Sequence, residues 1–211
     1  GAGLVTTALL TDMNEVLGTT AGNALEVRET IDWLVGTSDD HRLTEVVLAL
    51  GAEMLMLGDL AADTEAATSQ LITARADGTA AERFQAMVTA LGGPGDLVEN
   101  PAKYLQSASV VRRVDPDRPG YVQSINTRSV GLVVVTLGGG RLRVEDTIDH
   151  AVGLSEFIGL GQYVDGERPL AIVHARTESE AAVAADAIRA ACGIGDEPPD
   201  VGPVVAGRIT K

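Results

Sequence analysis

Residues 11–31, TDMNEVLGTTAGNALEVRETI, decide how the chain is read. A short apolar run, Leu4 to Leu10, precedes them, and Gly18 and Gly22 punctuate a polar loop ahead of a helix start. Asn23 is placed to cap that helix, with Glu26 three residues on reaching back to the free backbone donors. Ala24, Val27, Ile31 and Leu34 then recur at helical spacing. Strand, glycine-bearing loop and capped helix thus follow one another. In α/β proteins a loop at the carboxyl end of a strand is where ligands and ions are held, so a site is expected within this stretch.

Downstream, Gly36 to Asp40 reads as a turn that supplies the cap for a helix over about 43–57, with Leu43, Val46, Val47, Leu50, Met54 and Leu57 on one broad face. Met54 and Met56 read as core filler rather than ligands, because no His or Cys accompanies them. Asp63 opens a further helix that Gly78 closes. Thr79 with Glu82 forms a capping box for another, with Phe84, Met87, Val88 and Leu91 inward. Residues 1–100 therefore predict one strand and four helices, a first domain. Gly92-Gly93-Pro94-Gly95 breaks the helical pattern and, with the stretch to Pro101, marks the boundary to a second domain over 101–211.

In that second part Ser107 to Val114 is rich in β-branched residues, Asp115 to Gly120 is a turn cluster, and Tyr121-Val122 begins a second extended run. Val130 to Leu137 carries the valines of a strand between the helix signals Asn126-Thr127 and Gly138, and helix is the preferred reading. Gly138-Gly139-Gly140-Arg141 lacks the helix start that an anion-binding loop needs after it. It reads as a helix-ending, mobile turn, or else as a loop that approaches a ligand across a cleft. Glu145, Asp146 and Asp149 read as dipole compensation at a helix start rather than an acid/base pair. Gln162 to His174 predicts strand, Asp-Gly turn, strand, and His174 at its end reads as a locally bonded histidine. Thr177 and Glu180 form a capping box before an alanine-rich helix that Gly193 closes. Pro198, Pro199 and Pro203 extend the tail, and Val204 to Ile209 predicts a last edge strand.

Composition narrows the function classes. An apolar fraction of 45% supports a full core, and an aromatic fraction of 3% means that Ala, Val, Leu and Ile build it, which suits helix-on-sheet packing. The formal charge of −14 repels phosphate backbones and anionic lipid, so neither nucleic acid nor membrane is expected as a partner. Cys192 is the single cysteine, and His41, His150 and His174 give no zinc spacing. No apolar run approaches the ~20 residues needed to cross a bilayer, and a cytoplasmic location is the expectation. The opening GAGLVTTALLTD has no initiator Met and begins on a glycine turn and a strand, so the chain reads as the later part of something longer.

Five motifs, in order, carry a resemblance: TALLTDMNEVLG, GNALEVRE, ENPAKYL, LGGGR with EDTID, and VDGERPLAIVHA. Together they resemble the carboxyl-terminal half of thymidine phosphorylase and its relative pyrimidine-nucleoside phosphorylase, over essentially the whole chain. Asn126 departs from the acidic residue expected before Thr-Arg in that family. The resemblance implies an α/β fold: the latter part of a mixed-sheet domain plus a carboxyl-terminal α+β subdomain. It also implies reversible phosphorolysis of thymidine, with phosphate, to thymine and 2-deoxy-D-ribose 1-phosphate. The family's phosphate cradle and base-holding Arg and Ser-Lys residues are not in this chain, so no catalytic residue is expected here, and the family's homodimer forms through a helical domain that is also missing. By pattern, the family's monovalent cation site falls in this chain on the carbonyls of Leu17 and Thr20 and on Glu29, with the other ligands upstream, implying a potassium ion; the alternative is that Glu29 is a solvated helix residue. Three rivals remain: a nucleoside-monophosphate phosphorylase, a non-catalytic module retaining only these domains, and a phosphoribosyltransferase of related architecture, which the carboxyl-terminal motifs disfavour.

Overall fold

The structure is a computed structural model that describes residues 3–210; the turn expected at Gly1 lies outside them. In chain order the elements are β1 (Thr7–Thr11), α1 (Asn23–Leu34), α2 (His41–Leu57), α3 (Thr64–Ala76), α4 (Thr79–Ala90), α5 (Pro101–Tyr104), β2 (Val110–Val114), β3 (Gly120–Ile125), α6 (Thr127–Val134), β4 (Gly153–Ser155), β5 (Tyr163–Val164), β6 (Ala171–Ala175), α7 (Glu178–Ala191), β7 (Cys192–Gly195) and β8 (Val205–Thr210). The α/β class expected from the sequence is what forms, and the named strands pair antiparallel throughout. Among the described residues no helix is long and apolar enough to cross a membrane.

The chain divides into two units. Within the described residues one comprises 3–12, 31–98 and 202–210, the other 13–30 and 99–201. The break after Val98 falls beside the expected boundary, but residues 13–30 group with the second unit and 202–210 with the first. The reason is long-range pairing, which local composition does not encode. In the first unit β8 pairs with β1, from Thr7 opposite Thr210 to Thr11 opposite Val205.

Helix α2 packs on both strands of that ribbon. It begins where expected, because Asp40 accepts a hydrogen bond from the Leu43 amide at 2.7 Å. Asp63 does the same for α3, accepting from Ala66 at 2.8 Å. Gly51 is where α2 meets α3, since a Cβ there would lie 2.8 Å from Leu71. The capping box expected from Thr79 and Glu82 does not form. Gly78 takes the cap position, Thr79 is already helical, and its amide is satisfied by Asp77 at 2.9 Å instead.

Apolar burial in this unit is scattered, with Ile31, Val46, Ala52, Ala67 and Leu97 buried outside its cluster. Trp33, Leu34 and Ala81 form its cluster, with Leu43, Val47, Phe84 and Val98 packed against it. Leu50, Met54, Leu57, Met87 and Leu91, expected inward, are exposed; Met54 is 68% exposed, so it does not fill the core of this chain. Polar clasps take over. Glu53 of α2 is buried and grips the Arg208 guanidinium of β8 with both carboxylate oxygens, and Arg42 pairs with Asp12 at 3.1 Å. Arg75 lies 4.5 Å over the Trp33 ring and donates to the Trp33 carbonyl at 2.8 Å, while Trp33 Nε1 donates to Thr44.

The second unit contains two three-stranded sheets, ordered β2-β6-β4 and β5-β3-β7. The hairpin expected over 162–174 is therefore absent: β5 pairs with β3, and β6 pairs with β2 and β4. Asp165 still closes the intervening turn, accepting from the Glu167 and Arg168 amides. A continuous apolar core runs from Val114 to Cys192 and takes in both sheets, α6 and α7. Helix α7 presents Ala181, Ala184, Ala185, Ile188 and Ala191 inward, and these small side chains let it lie close on β2 and β6. Thr177 and Glu180 make the expected capping box, and Asn126 caps α6 by accepting from Ser129 at 3.0 Å. The chain passes directly from α7 into β7 at Cys192, a buried thiol whose pKa burial pushes up to about 11.

Candidate functional site

The loop of residues 13–22 is tied down from several directions within its unit. Thr127 donates to the Met13 carbonyl at 3.0 Å, and Glu15 accepts from the Leu160 amide at 2.8 Å. At its centre is Glu29, one turn and a half into α1. Its Oε1 accepts from the Thr19 amide at 2.6 Å and the Thr19 hydroxyl at 2.7 Å, and its Oε2 accepts from the Thr20 hydroxyl at 2.6 Å. Gly18 permits this closure, because a Cβ on it would sit 2.5 Å from Glu29 Oε2. A helix carboxylate thus clasps the loop before its own helix. Glu26, one turn earlier, has its carboxyl pKa raised by burial and by the neighbouring Glu29 charge.

The structure therefore brings Thr20 and Glu29 together, and Glu29 is no solvated helix residue. Leu17 lies in the same loop with its side chain exposed. Sequence reasoning missed Thr19. Its signal was available in the Thr-Thr pair after Gly18, which sets two hydroxyls within reach of a carboxylate on the next helix. The side-chain groups gathered here are all oxygen, one carboxylate and two hydroxyls, the kind preferred by hard cations. Thr19 uses both acceptor directions of Oε1, while Oε2 accepts from Thr20 and retains capacity for another partner, so the residues fit a monovalent cation. Among the described residues no group of three or more His, Cys, Asp or Glu side chains could hold a metal ion.

Asn23 does not cap α1. It is the first helical residue, and its Nδ2 donates to the Gly139 carbonyl at 2.9 Å. The expected triple-glycine turn does end a helix: α6 runs into one π turn over Val135–Gly139, and Gly138 adopts φ 97°. The turn is held at two carbonyls, Gly139 by Asn23 and Gly138 by the Asp149 amide at 2.8 Å. No helix starts at Glu145, Asp146 and Asp149, which corrects the dipole reading. Asp146 accepts from the Leu142 and Arg143 amides and closes a short arch. Asp149 accepts from Ala151 and pairs with Arg176, whose guanidinium holds the Asp149 carboxyl below the usual range.

His174 meets the Ser155 hydroxyl at 2.8 Å, the local bond expected of it, and burial pushes its pKa down against a smaller opposing pull from Glu156. A separate concavity of about 410 Å³ lies between α6 and α7, walled by Leu132, Val133, Leu137, Val183 and Ala187, without convergent charges. Among the described residues, the clasp gathers one carboxylate and two hydroxyls around a single loop. Residues 121–195 match the family described as the pyrimidine nucleoside phosphorylase C-terminal domain.

Proposed function

We infer, from the match of residues 121–195 to the pyrimidine nucleoside phosphorylase C-terminal domain, that the chain is the carboxyl-terminal portion of a thymidine phosphorylase. The whole enzyme is a pentosyltransferase of nucleoside salvage: phosphate attacks the anomeric carbon of thymidine, and thymine leaves as 2-deoxy-D-ribose 1-phosphate forms. Such chemistry needs an anion cradle, donors on the departing base and exclusion of water. None of the residue sets for the first two occurs in this chain, so by itself it is inactive. The homodimer and the cytoplasmic location follow from the same reading.

The observation that carries the proposal is the Glu29 clasp. It lies in the motif that resembles the family's cation loop, outside the matched residues 121–195, and it draws together the loop that the motif assigns. A potassium ion would be held by the Leu17 and Thr20 carbonyls and Glu29. When bound, it supplies positive charge that braces a phosphate cradle. The chain's own part is to fix the loop carbonyls and the carboxylate before the ion arrives, which limits reorganisation on binding.

The test is phosphate-dependent release of thymine from thymidine, followed by absorbance, with the protein in which these residues accompany a phosphate- and base-binding part. Turnover is expected there and none from residues 1–211 alone. No phosphate-dependent product from the longer protein overturns the assignment, and a preference for thymidine 5′-monophosphate redirects it to a nucleotide phosphorylase. Glu29→Gln should remove potassium dependence while leaving residual turnover.

A further inference from the structure

We propose that Ser155 and His174 are positioning residues for the Glu29 clasp, because they fix the short strand on which the clasped loop is seated. The seat is residues 154–157. Leu154 and Ala21 exchange both backbone hydrogen bonds, at 3.0 and 2.8 Å, and the Phe157 amide donates to the Thr19 carbonyl at 2.8 Å. Thr19 is thereby held on both sides, its carbonyl by the seat and its amide and hydroxyl by Glu29.

Leu154 and Phe157 can both face the loop because the chain turns between them. Glu156 has φ 49°, a left-handed conformation that a residue with a side chain adopts only when its surroundings impose it. Ser155, immediately before the turn, is where that constraint is applied. It ends β4 opposite Ile172, and its hydroxyl runs diagonally across to His174, whose own register partner is Gly153. The side-chain bond thus ties β4 to β6 next to the strained residue. Val173 and Ala175, flanking His174, are fully buried in the core, so the imidazole stands on a fixed base. The chain of dependence runs from that core through His174, Ser155 and the turn at Glu156 to Thr19 and Glu29.

This inference rests on the reading of the clasp as a cation seat for its meaning, but its test does not need the cation. Hydrogen exchange is measured by mass spectrometry on residues 17–22 of the 211-residue chain, with β6 and α7 as internal references. Ser155→Ala and His174→Ala should each raise exchange at Thr19 and Ala21 about fivefold, the loss expected for one neutral hydrogen bond, with the references unchanged. His174→Gln, whose amide reaches the position of Nε2, should restore exchange close to the original rate. Unchanged loop exchange in both alanine variants, equal acceleration across β6 and α7, or failure of Gln to rescue each overturns the proposal. Glu29→Gln in the longer protein separates the two readings: unchanged potassium dependence of turnover there overturns the cation seat and leaves the positioning role standing.

Discussion

The unit built on Val114 to Cys192 and the unit built on Trp33 solve the same problem in different ways. The former buries Val, Leu, Ile and Ala from both sheets and two helices in one continuous cluster. The latter gathers Trp33, Leu34 and Ala81, leaves Met54 and Leu91 in solvent, and relies on Glu53 with Arg208, Arg42 with Asp12, and Arg75 against Trp33. Apolar burial is distributed and tolerant of single losses, whereas a structure pinned by a few polar clasps and one large ring concentrates its stability in those residues. The candidate site belongs to the well-packed unit, where a fixed backbone can hold a carboxylate and two hydroxyls in register.

The comparison is broken most directly at Trp33. Trp33→Ala removes the largest buried side chain of its cluster together with the Thr44 bond and the Arg75 stack, and should cost about 4 kcal/mol, read as a lowered urea midpoint for amides of α2 and α3. Ile188→Ala, in the distributed core, should cost about 3 kcal/mol and leave α2 amides unaffected. A cost for Ile188→Ala that exceeds that of Trp33→Ala would remove the contrast.

Acid should reverse the ranking. His174 has its folded pKa lowered by burial, so its contribution is complete above the unfolded value of about 6.5 and is lost as pH falls through that value toward the lowered one. Glu53, held low by the Arg208 hydrogen bonds, contributes fully above the ordinary carboxyl value of about 4.3 and loses that contribution below it. Asp149, held low by Arg176, behaves likewise. Glu26, raised by burial, acts in the other direction and is stabilising once it takes a proton. The well-packed unit should therefore begin to weaken below about pH 6.5, before the unit pinned by Glu53, and His174→Gln should remove that first step from a pH series of amide exchange. The smallest effect is Thr177→Ala, about 1 kcal/mol from the loss of the capping box, confined to the first turn of α7.

How much of this was legible follows the range of the interactions. Asp40, Asp63, Asn126 and Thr177 cap helices across three residues, and the sequence states such contacts directly. Asn23 has the same signature but spends its amide on Gly139, 116 residues away, because the tertiary partner wins over the local cap. The 162–174 alternation identified two strands but not their partners, since an alternating pattern specifies a face and not a neighbour. Leu50, Met54 and Leu57 showed the correct helical stripe, yet a stripe says only which side is apolar, not that anything in this chain covers it. At the site, Thr20 and Glu29 came from motif resemblance. Thr19 and the seat at Leu154–Phe157 depend on a loop meeting a strand more than 130 residues later, about which local pattern is silent.

The pairing of β1 with β8 also sets how the molecule answers to force. Thr7 and Thr210 sit opposite each other at one end of an antiparallel ribbon. Handles attached there load the inter-strand hydrogen bonds one at a time, from Thr7–Thr210 inward, instead of shearing them together. Under tension the ribbon opens like a zipper at low load, and the guanidinium of Arg208 is drawn off Glu53 early.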